Sequence, residues 1–407
     1  LSDLRVTRLD NGLTVATERV PGARSVATGA WVAIGARDEA AELSGVSHFL
    51  EHLLFKGTSL RSAQEISRSV DRHGGDINAY TTKEYTAYYC RLPARHGAVG
   101  AALLGDVLSS PALRDADVDI ERQVILEEIA MDDDDPDDVV HRRFAEALFP
   151  GHPLGRDTAG EPDTIESITG ADVRSFFARH YTAGSTVVSV AGPCDHDDAL
   201  ALVAGAFAGM PPGADRPSRS APGARGADVR IEDDTEQVHL VVGGRGLARG
   251  DADREALDVV NHVLGGGLSS RLFEEIREQR GLVYSVWSGV SSYSDAGAYS
   301  VYAGSQPQHA DEVRALVLAE LRRLVEAGIT DEELEVAKGY LTGAFELGLE
   351  DTGSRMARNG SLLCTTGEIR PVAEQVARWE AVDHEGVARA IERVFTDDPL
   401  VVSVGPA

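Results

Sequence analysis

The chain is poor in cysteine, in long apolar runs and in basic charge, and each shortage narrows what it can be. Cys90, Cys194 and Cys364 are its three cysteines, far apart and without a C-x-x-C pair. That excludes a disulfide framework and suits a reducing compartment, with each thiol expected as a small buried hydrophobe. No stretch reaches the roughly 18 consecutive apolar residues of a spanning helix, so no membrane span is expected. The opening residues, Leu1-Ser2-Asp3-Leu4-Arg5, form neither a signal peptide nor an Arg-rich transit peptide, and a cytoplasmic location is the expectation. The chain does not begin with Met, so what lies upstream of Leu1 stays open. Against 66 Asp and Glu stand 39 Lys and Arg, a formal charge of −27. Such a charge argues against nucleic acid as a partner and would attract basic peptides. Lys56, Lys83 and Lys338 are the lysines among many arginines, which reads as coding bias.

What is present suffices for two domains of about 200 residues each. The composition is 43% hydrophobic without a low-complexity tract, as in a globular protein. The informative stretch is Gly45-Val46-Ser47-His48-Phe49-Leu50-Glu51-His52-Leu53-Leu54-Phe55. Its apolar residues recur at helical spacing, and it reads H-x-x-E-H. Residues four apart share a helix face, so His48 and His52 can aim two imidazoles at one ion. Glu51 lies beside them as a base for a water held by that ion. The pattern is the inverted zinc-peptidase motif. Three titratable groups on so apolar a helix are costly unless something pairs them.

A catalytic zinc has three protein ligands, so one more is needed from elsewhere. The segment from Asp117 to Ile129 has a strong helical pattern and carries Glu121, Glu127 and Glu128. Glu121 and Glu128 are seven apart and share a face, while Glu127 is turned by roughly 100° from Glu128. Spacing alone leaves Glu127 and Glu128 both open.

Along the rest of the chain, Asp10-Asn11-Gly12 between alternating segments marks a hairpin over Val6 to Val20. Ser25 to Ile34, Asp76 to Thr81 and Tyr85 to Leu92 read as strands. Ser62-Ala63-Gln64-Glu65 is a capping box opening a helix that ends near His73. A helix is expected from Ala94 to Leu108. The acidic run Asp132 to Asp138 reads as a solvated helix start, with an attractive patch for basic substrates as the alternative. Thr164 to His180 is predicted helical, Ser185 to Ala191 a strand, and Asp197 to Phe207 a helix. A Pro/Gly-rich linker over 211–223 then divides 1–210 from 224–407. The second half replays the first. Strands are expected at Gln237 to Gly243, Tyr284 to Gly289 and Gly297 to Ala303. Helices are expected at Arg254 to Leu264, Ser269 to Arg280, Asp311 to Ala327 and Asp331 to Leu347. Asp331 to Glu335 resembles Asp117 to Glu121 at an offset of 214, a weak internal duplication. The second copy has His262 without a partner four residues on, so a structural role is expected for it. Gly265-Gly266-Gly267 ends a helix and is followed by no Gly-Lys-Ser/Thr, so it is no phosphate loop.

Taken together, the motifs resemble the pitrilysin/insulysin/mitochondrial processing peptidase family of zinc metallopeptidases. His48 to Thr58, Asn78-Ala79-Tyr80-Thr81, His152-Pro153-Leu154-Gly155-Arg156 and Gly265 to Leu272 all carry the resemblance, which covers nearly the whole chain. It departs from the family at Tyr181 to Ser185, where the usual Pro and Asn are missing. The resemblance implies an α+β fold: two homologous α/β-sandwich-like domains, each a mixed, largely antiparallel sheet packed by helices. It implies one zinc per chain, held by His48, His52 and Glu128, which follows His52 by 76 residues, with Glu121 supporting the site. Glu51 is then the general base. Arg277 and Tyr284, seven apart in the half without zinc, would donate to the scissile carbonyl. Asn78, Ala79 and Tyr80 would belong to an exposed sheet edge that pairs with a substrate strand. The implied activity is that of an endopeptidase on extended or unfolded peptides in a clam-shell formed by two chains, as homodimer or heterodimer. The competing expectation is a non-catalytic assembly subunit of the same fold, against which the complete set of motif residues weighs.

Overall fold

The computed structural model describes residues 3–213 and 217–406. Leu1, Ser2 and positions 214–216 of the expected linker lie outside them. The chain starts with β1 (Asp3–Arg8), β2 (Thr14–Arg19) and β3 (Ser25–Val32). Gly12 turns the first hairpin at φ 98°, a left-handed conformation that glycine adopts without strain. Helices α1 (Val46–Leu54) and α2 (Ala63–Asp71) follow, and the Ser62/Glu65 capping box opens α2 as expected. Next come β4 (Asp76–Thr81), β5 (Thr86–Pro93), α3 (Gly97–Ser109) and α4 (Asp115–Asp133). Helix α5 (Pro136–Leu148) starts in the acidic run, where the Asp135 side chain accepts the Asp137 N–H and Pro136 fills the first turn.

The single helix expected from Thr164 to His180 is two, α6 (Pro162–Ser167) and α7 (Gly170–His180). Thr169 and Asp172 form a second capping box, which starts the chain afresh. The half closes with β6 (Thr186–Gly192) and α8 (His196–Ala206). Beyond the linker lie β7 (Val229–Glu232), β8 (Val238–Gly246) and α9 (Arg254–Gly265). The helix expected next is wound as a π-helix over Phe273–Glu278. Then follow β9 (Val283–Ser292), β10 (Gly297–Ser305), α10 (Ala310–Ala327) and α11 (Asp331–Gly348). The chain continues through α12 (Thr352–Thr366), α13 (Val372–Glu380), α14 (His384–Phe395) and β11 (Leu400–Gly405).

These elements form two compact units, each around its own sheet. Among the described residues the first sheet runs β1-β2-β6-β3-β5-β4 and the second β7-β11-β8-β10-β9. Leaving out β1, the orders coincide strand for strand. The one parallel pair also recurs in place, β2 with β6 and β7 with β11. Gly192-Pro193 leaves β6 as Gly405-Pro406 leaves β11, an offset of 213 (405 − 192). The weak duplication in the sequence is therefore a duplicated topology.

The units do not follow the linear halves. One gathers Leu1–Ile129, Arg156–Ser218 and Gly348–Ile369, the other Ala130–Gly155, Arg219–Leu347 and Arg370–Ala407. Each sheet has one face covered by its own half's helices and the other by a helix from the opposite half. In the first unit α1, α3 and α8 pack against one face, and α7 packs on α1. On the other face α12 lays Met356 and Leu363 around the fully buried Trp31. Gly360 makes room there, since a Cβ on it would stand 2.1 Å from the Trp31 ring. The buried Glu18 carboxylate fixes α12 by ion-pairing Arg355 and accepting from Asn359 Nδ2 at 2.7 Å. In the second unit α5 fills the matching position, with Val140, Phe144 and Leu148 on Val402, Val404 and Tyr302. An apolar stripe thus dictates that α5 and α12 be covered but not by which sheet.

Candidate metal centre

Helix α1 is short and strongly amphipathic. Val46, Phe49, Leu50, Leu53 and Leu54 are buried in the first core, which turns His48, Glu51 and His52 to the opposite side. The two imidazoles stand edge to face, centroids 4.7 Å apart. Their Nε2 atoms lie 3.8 Å (His48) and 3.6 Å (His52) from one oxygen of Glu128 on α4. These separations are too long for hydrogen bonds. Donors about 2.0–2.2 Å from a shared tetrahedral ion stand about 3.3–3.5 Å from one another, close to what the side chains show. The donor set and its spacing therefore fit zinc. Among the described residues these three form the one group able to hold a metal. Glu127, one position back on α4, has no place in it. Burial, then the neighbouring charge of His52, lowers the pKa of His48 and favours the neutral, ligating form.

Around this triad the fit continues outward. His52 Nδ1 faces Glu121 Oε2 at 3.2 Å, and Lys56 Nζ pairs the other Glu121 oxygen at 2.5 Å. A carboxylate behind a histidine fixes its tautomer and leaves Nε2 free for a metal. Glu51 is not drawn into that chain. It accepts instead from Thr81 Oγ1 at 2.6 Å. Burial pushes its carboxyl above the usual carboxylate range, and the Thr81 hydrogen bond opposes the rise. A base with a raised pKa is suited to taking a proton and giving it back.

Among the described residues β4 is an edge strand, paired with β5 alone, so its other backbone edge has no strand beside it. Ile77 and Ala79 pack on the α1 side, and by alternation Thr81 follows them. Asn78 is exposed, and its side-chain oxygen accepts the Ala79 N–H at 2.8 Å. The Tyr80 ring lies on the face that α12 covers, near Tyr85 and Tyr89, and so opposite α1. In the second unit the Arg277 guanidinium lies 5.5 Å from the centre of the Tyr284 ring, which is 81% exposed. His262 is buried and stacked on Tyr340 at 4.2 Å, a packing role.

The reading of the sequence gives Thr81, Lys56 and Glu39 no part in the chemistry of the site. Glu39, just before α1, accepts the Gly45 and Ser47 N–H groups with its two oxygens, each at 2.7 Å. Burial pushes its carboxyl up to about 7. A signal for Lys56 was present: two of the three lysines in this arginine-rich chain, Lys56 and Lys83, lie around this site. Coding bias explains the scarcity of lysine, not where the survivors stand.

Residues 14–162 match the family described as insulinase, peptidase family M16, and residues 167–341 match the peptidase M16 inactive domain. An uncharacterized zinc protease of Streptomyces coelicolor is 41% identical over 414 residues, spanning 100% of this chain and 90% of the relative. The chain belongs to the M16 peptidase family. Another M16 relative, an uncharacterized zinc protease of Bacillus subtilis, is 36% identical over 397 residues, spanning 98% of this chain and 97% of the relative. Two solved structures share the M16 fold over 100% of this chain. One is described as a peptidase M16 inactive domain from Pseudomonas fluorescens (TM-score 0.93, 21% identity, 98% of that chain covered). The other is a protease from Helicobacter pylori (TM-score 0.92, 24% identity, 100% covered). The inactive-domain match begins at residue 167, before the linker, and takes in α9, which carries His262 alone. No helix among the described residues is long and apolar enough to cross a membrane.

Proposed function

We propose that the chain is a zinc-dependent endopeptidase that hydrolyses extended or unfolded peptides, one zinc per chain. The observation that carries this reading is the convergence of His48, His52 and Glu128 with Glu51 beside them, bound to Thr81 rather than to the triad. His48, His52 and Glu128 would hold the metal, and Glu121 with Lys56 would orient His52. Zinc bound there supplies a Lewis acid that acidifies water and polarises a carbonyl. Glu51 takes the proton of the attacking water on the oxygen not used by Thr81, then delivers it to the departing amine. The open edge of β4 aligns the peptide by backbone pairing, with Asn78, Ala79 and Tyr80 as the strand that reads it. Arg277 and Tyr284 donate to the oxygen that gains charge as the carbonyl is attacked. The net charge of −27 favours basic peptides, and the working form is a pair of chains, alike or related.

The test uses the purified chain, a quenched-fluorescent peptide library and a zinc chelator. Cleavage that stops with chelator and returns with added zinc supports the reading, and product mass spectra then give the preferred residues. A chain that binds zinc yet cleaves nothing points to the non-catalytic assembly subunit instead. Light scattering that finds a lone chain during turnover removes the paired form.

A further inference from the structure

The site helix hangs from a segment that precedes it. Gly35 to Glu39 leave β3 in a tight 3-10 turn, and their polar groups grip two different elements. On one side Ala36 N–H donates to Thr82 O at 3.0 Å and Arg37 N–H to Lys83 O at 2.9 Å. Arg37 also pairs Glu84 at 2.7 Å, with both side chains 2% exposed. The approach is so close that a Cβ on Gly35 would lie 2.3 Å from Thr82 O. This grip holds the β4–β5 turn, one residue beyond the Thr81 that binds Glu51. On the other side Glu39 takes the first turn of α1, one oxygen on Gly45 N–H and the other on Ser47 N–H. Ser47 immediately precedes His48. Arg156 donates to Glu39 O at 3.0 Å, and Lys83 Nζ donates to Arg156 O, which closes the ring of contacts.

A helix start is ordinarily satisfied by its own N-cap side chain. Helix α1 has none: its N-cap is Gly45 at φ 93°, and its first turn carries no acidic residue. A Cβ on Gly45 would meet Ala159 O at 2.5 Å, so no capping side chain fits there. The carboxylate comes instead from six residues upstream and is 5% exposed. Burying it is costly, and a smaller apolar residue would avoid that cost.

We propose that Glu39 is a positioning residue for the metal ligands: by clamping the Gly45 and Ser47 N–H groups it fixes where His48 stands relative to His52 and Glu128, from the same five-residue bracket that fixes Thr81 against Glu51. The inference rests on the zinc-peptidase reading. It is tested on the full chain with Glu39→Gln, which keeps size and shape but turns one acceptor into a donor facing an N–H. Zinc affinity by competition with a fluorescent chelator should fall about tenfold. The visible spectrum of the cobalt-substituted chain should change, and kcat should fall with KM unchanged. Glu39→Asp, which keeps the charge but cannot span both N–H groups, should lie between Gln and the parent, and it decides the matter if Glu39→Gln does not fold. A Glu39→Gln chain that merely melts earlier, with parental zinc affinity and cobalt spectrum, overturns this inference alone. A parent chain that binds no zinc overturns the peptidase reading and this inference with it.

Discussion

Helices α1 and α9 hold the same place in two copies of one topology and are spent on different things. Both bury an apolar face on their own sheet. On its other side α1 presents His48, Glu51 and His52, each with a group waiting for it: Glu128, Thr81 and Glu121. Helix α9 presents His262 alone, flat against Tyr340. The position four residues on is Gly266, where a Cβ would lie 2.7 Å from His262 Cα, so a second imidazole has no room. The surroundings differ in the same sense. On α11, the counterpart of α4, the offset of 214 puts Thr342 where α4 has Glu128, so no carboxylate stands at that position. A duplicated fold therefore does not carry a duplicated site. The candidate centre rests on a histidine pair and on a carboxylate at one position of a second helix, and the second copy keeps neither the pair nor that carboxylate.

The largest break in this comparison should come from Glu51→Gln. Turnover of a peptide substrate should fall by about 10³-fold, since the amide cannot accept a proton, while zinc content stays at the parental level. Retained turnover in a continuous fluorescence assay would take the chemistry away from α1.

Next in size is a change on the face that α12 covers. Trp31→Ala should cost about 3–5 kcal/mol of stability in denaturant titrations of the full chain, because a fully buried indole between β3 and α12 leaves a cavity. The same structure predicts that a fragment ending at residue 210 is unstable, because it lacks α12 and exposes that face. A 1–210 fragment as stable as the full chain would show α12 to be dispensable. A smaller effect is expected behind His52. Glu121→Gln should weaken zinc binding 10–100-fold by chelator competition, as loss of an orienting carboxylate does. Unchanged affinity would leave Glu121 as nothing more than a partner for Lys56. The smallest belongs to the other copy: His262→Phe keeps the stack on Tyr340 and should leave zinc content and turnover at parental values.

Much of the first unit could be read from residue order. The α1 motif lies within one helix, so its three groups are visible at fixed spacing, and the capping box at Ser62 and the hairpin at Gly12 are equally local. Periodicity leaves Glu127 and Glu128 both open, the family resemblance points to Glu128, and the direction of α4 in space brings Glu128 and not Glu127 to the histidines. Thr81 and Glu39 carry no local signal of their roles, since their partners are fixed by how β4 and the 3-10 turn approach α1. The exchange of α5 and α12 was hidden for a related reason. Both show an apolar stripe, and a stripe states that a face is buried without naming the sheet that buries it. The division at 210 therefore tracks the linker, while the compact units track the exchange.

The claim that the site belongs to α1 and α4, and not to their copies, is tested most directly by elemental analysis of three purified proteins: the parent, His48→Ala and His262→Phe. The account predicts about one zinc per chain in the parent and in His262→Phe, and essentially none in His48→Ala. Zinc kept by His48→Ala, or lost from a folded His262→Phe, would contradict it.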